Sequence, residues 1–220
     1  MHNLFSETAM ESWRGKCPSL NAYSVADQAS IYRQGDQCTD VFGVCDGIVR
    51  LSRLTVEGAE LTMALLKSGE LFGCLQPEAV TNVVAESAYA VGDARICRIA
   101  HEDFKVLLSC YPTFSASVLT ILWDRNQRAE GKLQAILTQT VEAHVVGTLR
   151  ELAQLFGLRC AHGYALEIRL TQQNLADLVG ASRSVVSTVM NQLRSRGLLD
   201  YTRDLICVND VALSEDYAGV

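Results

Sequence analysis

LTQQNLADLVGASRSVVSTVMNQLRSRGLL, residues 170–199, is the stretch on which the reading of this chain turns. Thr171 stands where its hydroxyl caps a helix carrying Leu175, Ala176, Leu178 and Val179. Gly180 and Ala181 then turn the chain, and Ser182 caps a second helix predicted to run to about Arg196. Two short helices joined by a tight glycine-containing turn make a helix-turn-helix. On the second helix Val185, Val186, Val189, Met190 and Leu193 are expected to share the side facing the first helix. Arg183, Ser184, Ser187, Thr188, Asn191 and Arg194 fall on the opposite stripe. Compact polar side chains of this kind let a helix seat in a DNA major groove, where Arg183 in the first turn can fork onto O6 and N7 of a guanine. Leu199 to Val208 reads as a β-hairpin wing with Arg203 at its tip, suited to a phosphate, and Thr171 is counted with the same DNA-facing set. An amphipathic helix pair with a polar outer face also occurs in helical proteins of other function, so the motif alone does not establish DNA binding.

Composition at first argues against nucleic acid. The 220 residues are 49% hydrophobic and 20% charged, enough for two modest domains and too balanced for disorder or a fibrous repeat. A formal charge of -6 provides no global positive field. The deficit is regional: residues 1–137 hold 12 Lys+Arg against 16 Asp+Glu, whereas 171–203 hold Arg183, Arg194, Arg196 and Arg203 against Asp177 and Asp200. The charge therefore excludes indiscriminate polyanion binding and leaves a local, geometry-dependent contact open.

Upstream, from about Ser30 to Ala100, short β-rich runs are punctuated by Gly35, Gly47, Gly58 and Gly69, a rhythm that predicts an antiparallel sandwich or barrel. Val49 and Leu51 alternate with Arg50 and Ser52, and Leu61, Met63 and Leu65 with Thr62 and Ala64, so the first-named residues of each set are expected to face the core. Helical spacing follows Ala100, and Pro112 breaks it. Beyond the proline Leu119, Leu122, Asn126, Ala129, Leu133 and Ile136 recur as an a/d seam, which predicts a long helix paired with its twin and Asn126 fixing the register. Packing of that stripe on the chain's own β domain is the alternative. A further helix is expected over 141–156 and a short hairpin over 157–170. The fold class is thus α+β, with an effector-sensing antiparallel β roll over 1–110, a dimerisation helix over 111–137 and a winged helix-turn-helix domain over 138–220.

Glu7 and Glu11 interrupt any secretory core, and no later run approaches 18 apolar residues, so a cytoplasmic protein with no membrane partner is expected. Eight cysteines at 17, 38, 45, 74, 97, 110, 160 and 207 form no CxxC pair, which weighs against zinc.

With these residues in view the chain resembles the CRP/FNR family of bacterial transcription regulators. IYRQGDQCTDVFGVCDGIVRL (31–51) is similar to that family's jelly-roll entry, the helix after Pro112 to its dimerisation helix, and 170–199 to its winged helix-turn-helix. The resemblance implies a homodimer on double-stranded DNA with a roughly two-fold operator, regulated by an effector in the β domain, with RNA polymerase as a further partner and no catalysis. It places effector-pocket candidates at Phe72, Gly73, Cys74, Thr81 and Asn82.

Departures from the family limit the signal. Cys74 stands where cyclic-AMP binders carry a ribose-binding Glu, Ala79 to Val83 holds no cation for a cyclic phosphate, and Ala129 and Glu130 replace the adenine-meeting Thr-Ser. These weigh against a cyclic nucleotide. Only Cys17 lies near the N-terminus, short of an iron–sulfur cluster of the family's usual form; haem stays open through Cys74, His101 or His144, each also readable as a core residue. The six cysteines from 17 to 110 suggest a thiol redox switch, and a small organic effector is an equal candidate. On the second helix Ser184 and Thr188 replace the family's Glu and second Arg, predicting an operator other than the TGTGA type. The alternatives are a haem- or thiol-based redox protein or enzyme on the same β roll, or a DNA-binding regulator that needs no effector.

Overall fold

The computed structural model describes residues 3–76, 83–166, 168, 170–202 and 205–213. The chain divides into two compact units, Met1–Gln127 and Arg128–Val220. In the first, α1 (Glu7–Trp13) precedes β1 (Asn21–Val25), β2 (Ser30–Tyr32), β3 (Val41–Leu54), β4 (Glu60–Leu66), β5 (Leu71–Gly73) and β6 (Ser87–Ile99), followed by α2 (His101–Cys110) and the start of α3 (Pro112–Thr138). The sheet runs β1-β6-β3-β4, with β2 on β6 and β5 on β3, every pairing antiparallel. Gly35, Gly47, Gly58 and Gly69 all take positive φ, between 82° and 92°, as the turn rhythm requires.

Two cores hold this unit. Inside the roll, Tyr32, Phe42 and Phe72 form an aromatic cluster, Phe42 stacked on Phe72 at 5.3 Å, backed by Val44, Val49, Leu51, Leu66 and Ile96. On the other side Phe5, Met10 and Trp13 join Phe104, Leu107 and Phe114 against the sheet, with Trp13 edge-on to Phe114 at 5.0 Å. The helix α1 is absent from the sequence reading, although Ser6 caps it by accepting from the Ala9 N–H.

At β4 and at α3 the structure departs from the sequence expectation. In β4 the inward residues are Thr62, Ala64 and Leu66, while Leu61 and Met63 are exposed and Leu65 is covered on the opposite face. Pairing of Leu66 with Val49 sets this parity, and a register shift at Leu51/Ser52 brings Ser52 inward beside Thr62. On α3, Leu122 packs on the unit's own core with Ile121, next to buried Phe114 and Val118. Leu119 and Trp123 are instead open, as are Leu133, Ile136 and Leu137 further along, with Asn126 and Ala129 also exposed. Trp123 thus takes the place of Leu122 in the uncovered stripe, and Leu137 widens it beside Ile136.

In the second unit α4 (Val141–Phe156), capped by Thr140, leads to a four-stranded sheet of order β7-β8-β10-β9: β7 (Leu158–Cys160), β8 (Gly163–Leu166), β9 (Leu199–Tyr201) and β10 (Ile206–Asn209). Between β8 and β9 lie α5 (Gln172–Val179) and α6 (Arg183–Ser195), and α7 (Asp210–Leu213) follows β10. Leu149 and Leu152 of α4, Leu175 and Val179 of α5, Val186, Met190 and Leu193 of α6, and Leu166, Ile206 and Val208 of the sheet are buried and make its core. No single described helix is long and apolar enough to cross a membrane.

Candidate nucleic-acid interface

The helix pair is fixed at its ends by the caps its sequence suggests. Thr171 caps α5 in a reciprocal box with Asn174: the Thr171 hydroxyl accepts from the Asn174 N–H at 3.0 Å and donates to Asn174 Oδ1 at 2.6 Å, while the Thr171 N–H donates to the same oxygen at 2.9 Å. That hydroxyl is committed to the cap, so Thr171 contributes to the face chiefly by placing the helix. Gly180 closes α5 in the left-handed region at φ 69°, and Ser182 caps α6 by accepting from the Val185 N–H.

Val186, Val189, Met190 and Leu193 are buried, as expected, but Val185 is 43% exposed. A helix advances 100° per residue, which carries Val185 past the edge of the four-residue apolar stripe. Arg183, Ser184, Thr188, Asn191 and Arg194 are exposed and Ser187 is half-buried. Ser184 shares a hydrogen bond with Ser182 at 3.0 Å, and the Thr188 hydroxyl donates to the Ser184 carbonyl at 3.0 Å, so both hydroxyls are engaged within the helix and its cap.

An open groove of about 580 Å3 runs beside this face, lined among others by Thr171, Gln172, Gln173, Arg183, Tyr201 and Thr202. Tyr201 organises it: Gln172 Nε2 donates to the Tyr201 hydroxyl at 3.2 Å, and that hydroxyl donates to Asn191 Oδ1 at 3.0 Å. The Asn191 amide is therefore held from behind, its nitrogen available to a ligand. Sequence reasoning missed Gln172 and Tyr201, because their link joins residues 29 and 10 apart that no helical or strand period relates.

The local charge is also smaller than the sequence suggests. Arg194 pairs with Asp200 at 2.9 Å while its guanidinium lies over the Tyr201 ring at 5.4 Å, and Arg196 pairs with Glu142 at 2.6 Å. Both carboxylates stand on flanking elements, Asp200 in β9 and Glu142 in α4, and among the described residues Arg183 forms no salt bridge. Arg203 lies outside the described residues.

Residues 24–111 match the cyclic nucleotide-binding domain family, and residues 116–213 match the Crp-like helix-turn-helix domain family. The Cyclic AMP receptor protein of Thermus thermophilus is 32% identical over 190 residues, covering 86% of this chain and 83% of that protein. This chain belongs to the CRP/FNR family of transcription regulators. A Global nitrogen regulator of Synechocystis is 27% identical to the regulator over 192 residues, 86% of this chain and 84% of the relative. Among solved structures, the c-di-GMP responsive global regulator CLP of Xanthomonas campestris has a TM-score of 0.78 at 19% identity, covering 90% of this chain and 99% of that one, a likeness of fold.

In the regulator's cyclic nucleotide-binding-like unit, Phe72 is fully buried in the aromatic cluster. Gly73 sits at φ 88° where a Cβ would meet the Asp40 carbonyl at 2.6 Å, and half-buried Cys74 donates its N–H to that same carbonyl at 2.9 Å. Beside them Arg125 donates to the Leu71 carbonyl. Thr81 and Asn82 lie outside the described residues. Cys74 and His101 belong to one unit and buried His144 to the other, and among the described residues no three His, Cys, Asp or Glu side chains gather at a metal-binding spacing. Of the six cysteines in the first unit, Cys17, Cys45 and Cys97 are core residues. Burial pushes the Cys17 thiol up to about 11, and the Cys45 thiol together with burial drives Cys97 far up. Cys38 and Cys74 are half-buried and Cys110 is exposed.

Proposed function

We propose that this chain is a homodimeric, sequence-specific transcription regulator whose α6 reads the major groove of a roughly two-fold operator, under a signal other than a cyclic nucleotide. The observation that carries the reading is the α6 face itself: Arg183, Ser184, Thr188 and Asn191 exposed on a capped helix, with Asn191 braced by Tyr201. Arg183 is the fork for a guanine and Asn191 the amide for an adenine, with Ser187 and Arg194 at the rim and Arg203 on the wing for phosphate. The usual Glu and second Arg being absent, the operator departs from the TGTGA type.

Dimerisation is supported by the uncovered stripe on α3. Its occupant is a second copy of the same helix, because Asn126 interrupts an otherwise apolar seam as register-setting residues do in paired helices. A signal other than a cyclic nucleotide is supported by charge: no Lys or Arg occurs between Lys67 and Arg95, so the turn after β5 offers a phosphate no cation of its own. The protein acts in the cytoplasm with RNA polymerase as partner and catalyses no reaction. Replacing Arg183 by Ala tests the face. Affinity for a selected operator falls by about 1–3 kcal/mol, and discrimination is lost at one guanine per half-site; undiminished discrimination at every position overturns the assignment.

A further inference from the structure

The first unit holds six of the eight cysteines, but the second holds a pair of partly open thiols that meet. Cys160 ends β7 and Cys207 sits in β10, on either side of β8. Cys160 is opposite Gly163 and Cys207 opposite Ala165, so both side chains rise from the same face of the sheet. The strand between them carries only a glycine and an alanine there, and the two sulfurs meet above it at 3.7 Å. Both thiols are half-open to solvent. The outer ends of β7 and β10 are tied together: Arg159 forks onto Asp210, with Nη2 to Oδ2 at 2.8 Å, and the Asp210 N–H donates to the His162 carbonyl at 3.1 Å. Gly163 admits no side chain, since a Cβ would fall 2.0 Å from the Val208 carbonyl.

We propose that Cys160 and Cys207 form a dithiol oxidation site that a hydroperoxide converts to a reversible disulfide, linking oxidation to the wing. The Cys160 sulfur attacks one peroxide oxygen; an S–O bond forms, the O–O bond breaks, and the alcohol or water leaves with a proton. The Cys207 sulfur then displaces hydroxide from the Cys160 sulfenic acid, forming the S–S bond and releasing water, so two electrons pass from the thiols to the peroxide. The roles are unequal. Backbone N–H groups, that of His162 foremost, hold the Cys160 thiol below its ordinary range, which favours it as attacker. Burial first, then the Cys160 sulfur and the Asp200 carboxylate, raise Cys207, which suits it to resolve. Closure requires the sulfurs to approach to about 2.05 Å and the Cα atoms to within about 7 Å, so β7 and β10, which flank β8, are drawn toward each other as the bond forms. Cys207 pairs across the wing with Asp200, the carboxylate that holds Arg194 of α6, so movement of β10 is passed to the end of the recognition helix. This last link rests on the DNA-binding reading; the thiol chemistry does not.

The reduced full chain is titrated with hydrogen peroxide, blocked with N-ethylmaleimide, digested without reductant and mapped by mass spectrometry. Two of the eight thiols are lost together, in one linked pair of peptides containing Cys160 and Cys207, before other cysteines react, and dithiothreitol restores both. Cys207→Ser instead accumulates a sulfenic acid on Cys160 that dimedone captures. Cys160 and Cys207 still alkylatable after the others have oxidised, or a different pairing, overturns the site. Affinity for a selected operator is measured in parallel and changes several-fold on oxidation in the wild type but not in Cys160→Ser. A mapped disulfide with unchanged affinity refutes the link to the wing, and a protein that binds no DNA refutes the regulator reading while the mapping still decides the chemistry.

Discussion

Replacing Tyr201 by Phe isolates the brace behind Asn191. The ring and its contact with Arg194 at 5.4 Å remain, while the hydroxyl that donates to Asn191 at 3.0 Å and accepts from Gln172 at 3.2 Å is removed. Asn191 is exposed and Gln172 half-buried, so both find water in the free protein, and folding stability falls by less than about 1 kcal/mol. On DNA the balance differs. A bidentate contact needs both amide atoms aimed at one base edge, and without the brace that side chain must be ordered on binding, at about 0.5–1.5 kcal/mol per immobilised group. Operator affinity therefore weakens about five-fold, the equivalent of about 1 kcal/mol. The dependence of affinity on salt is unchanged, because no cation facing phosphate has been removed. Fluorescence anisotropy against operator and scrambled duplexes, at several salt concentrations, reads both. An equal loss on scrambled DNA, or no loss on the operator, refutes the reasoning.

Leu133 is 58% exposed on α3, and Leu133→Glu places two carboxylates in the paired seam while removing two buried leucines of about 1.5–3 kcal/mol each; sedimentation equilibrium then finds the variant monomeric where the parent is a dimer, and an unchanged dimer contradicts the seam. At Gly43 a Cβ would lie 2.5 Å from the Phe5 ring, so Gly43→Ala displaces Phe5 and destabilises the first unit by about 1–3 kcal/mol, seen as an earlier denaturation in tryptophan fluorescence, since Trp13 and Trp123 both belong to that unit. Burial first, then Lys132, lowers the pKa of His144 from 6.5, so the folded state favours the neutral ring. Its stabilisation is complete above pH 6.5 and is lost as pH falls from 6.5 through the depressed folded value, because the unfolded chain binds the proton first. Thermal melting of the second unit from pH 7.5 to 5 detects this loss, and His144→Gln flattens the same portion of the curve; an identical slope in the variant assigns the acid sensitivity elsewhere.

Much of the fold was legible because local chemistry and tertiary structure agree. The glycines from 35 to 69 do turn the chain, Thr171 and Ser182 do cap, and Pro112 does open α3. Family and fold class followed from these elements in order. What the residues alone did not show depends on partners distant in sequence. The inward face of β4 is set by its pairing with Val49 and a register shift, which an alternating run cannot display. A count of charges does not show that Arg194 pairs with Asp200, or that Arg196 pairs with Glu142, which lies 54 residues away. Tyr201 joins the candidate face through hydrogen bonds to α5 and α6, and Cys160 meets Cys207 across a strand, 47 residues away.

Binding-site selection with the full chain on a random duplex pool tests the central claim most directly. The account predicts enrichment of a two-fold motif whose half-sites lie about one helical turn apart, with one guanine in each half that ceases to be selected by Arg183→Ala. Recovery of no enriched sequence, or of a single site without symmetry that Arg183→Ala selects equally well, would contradict it.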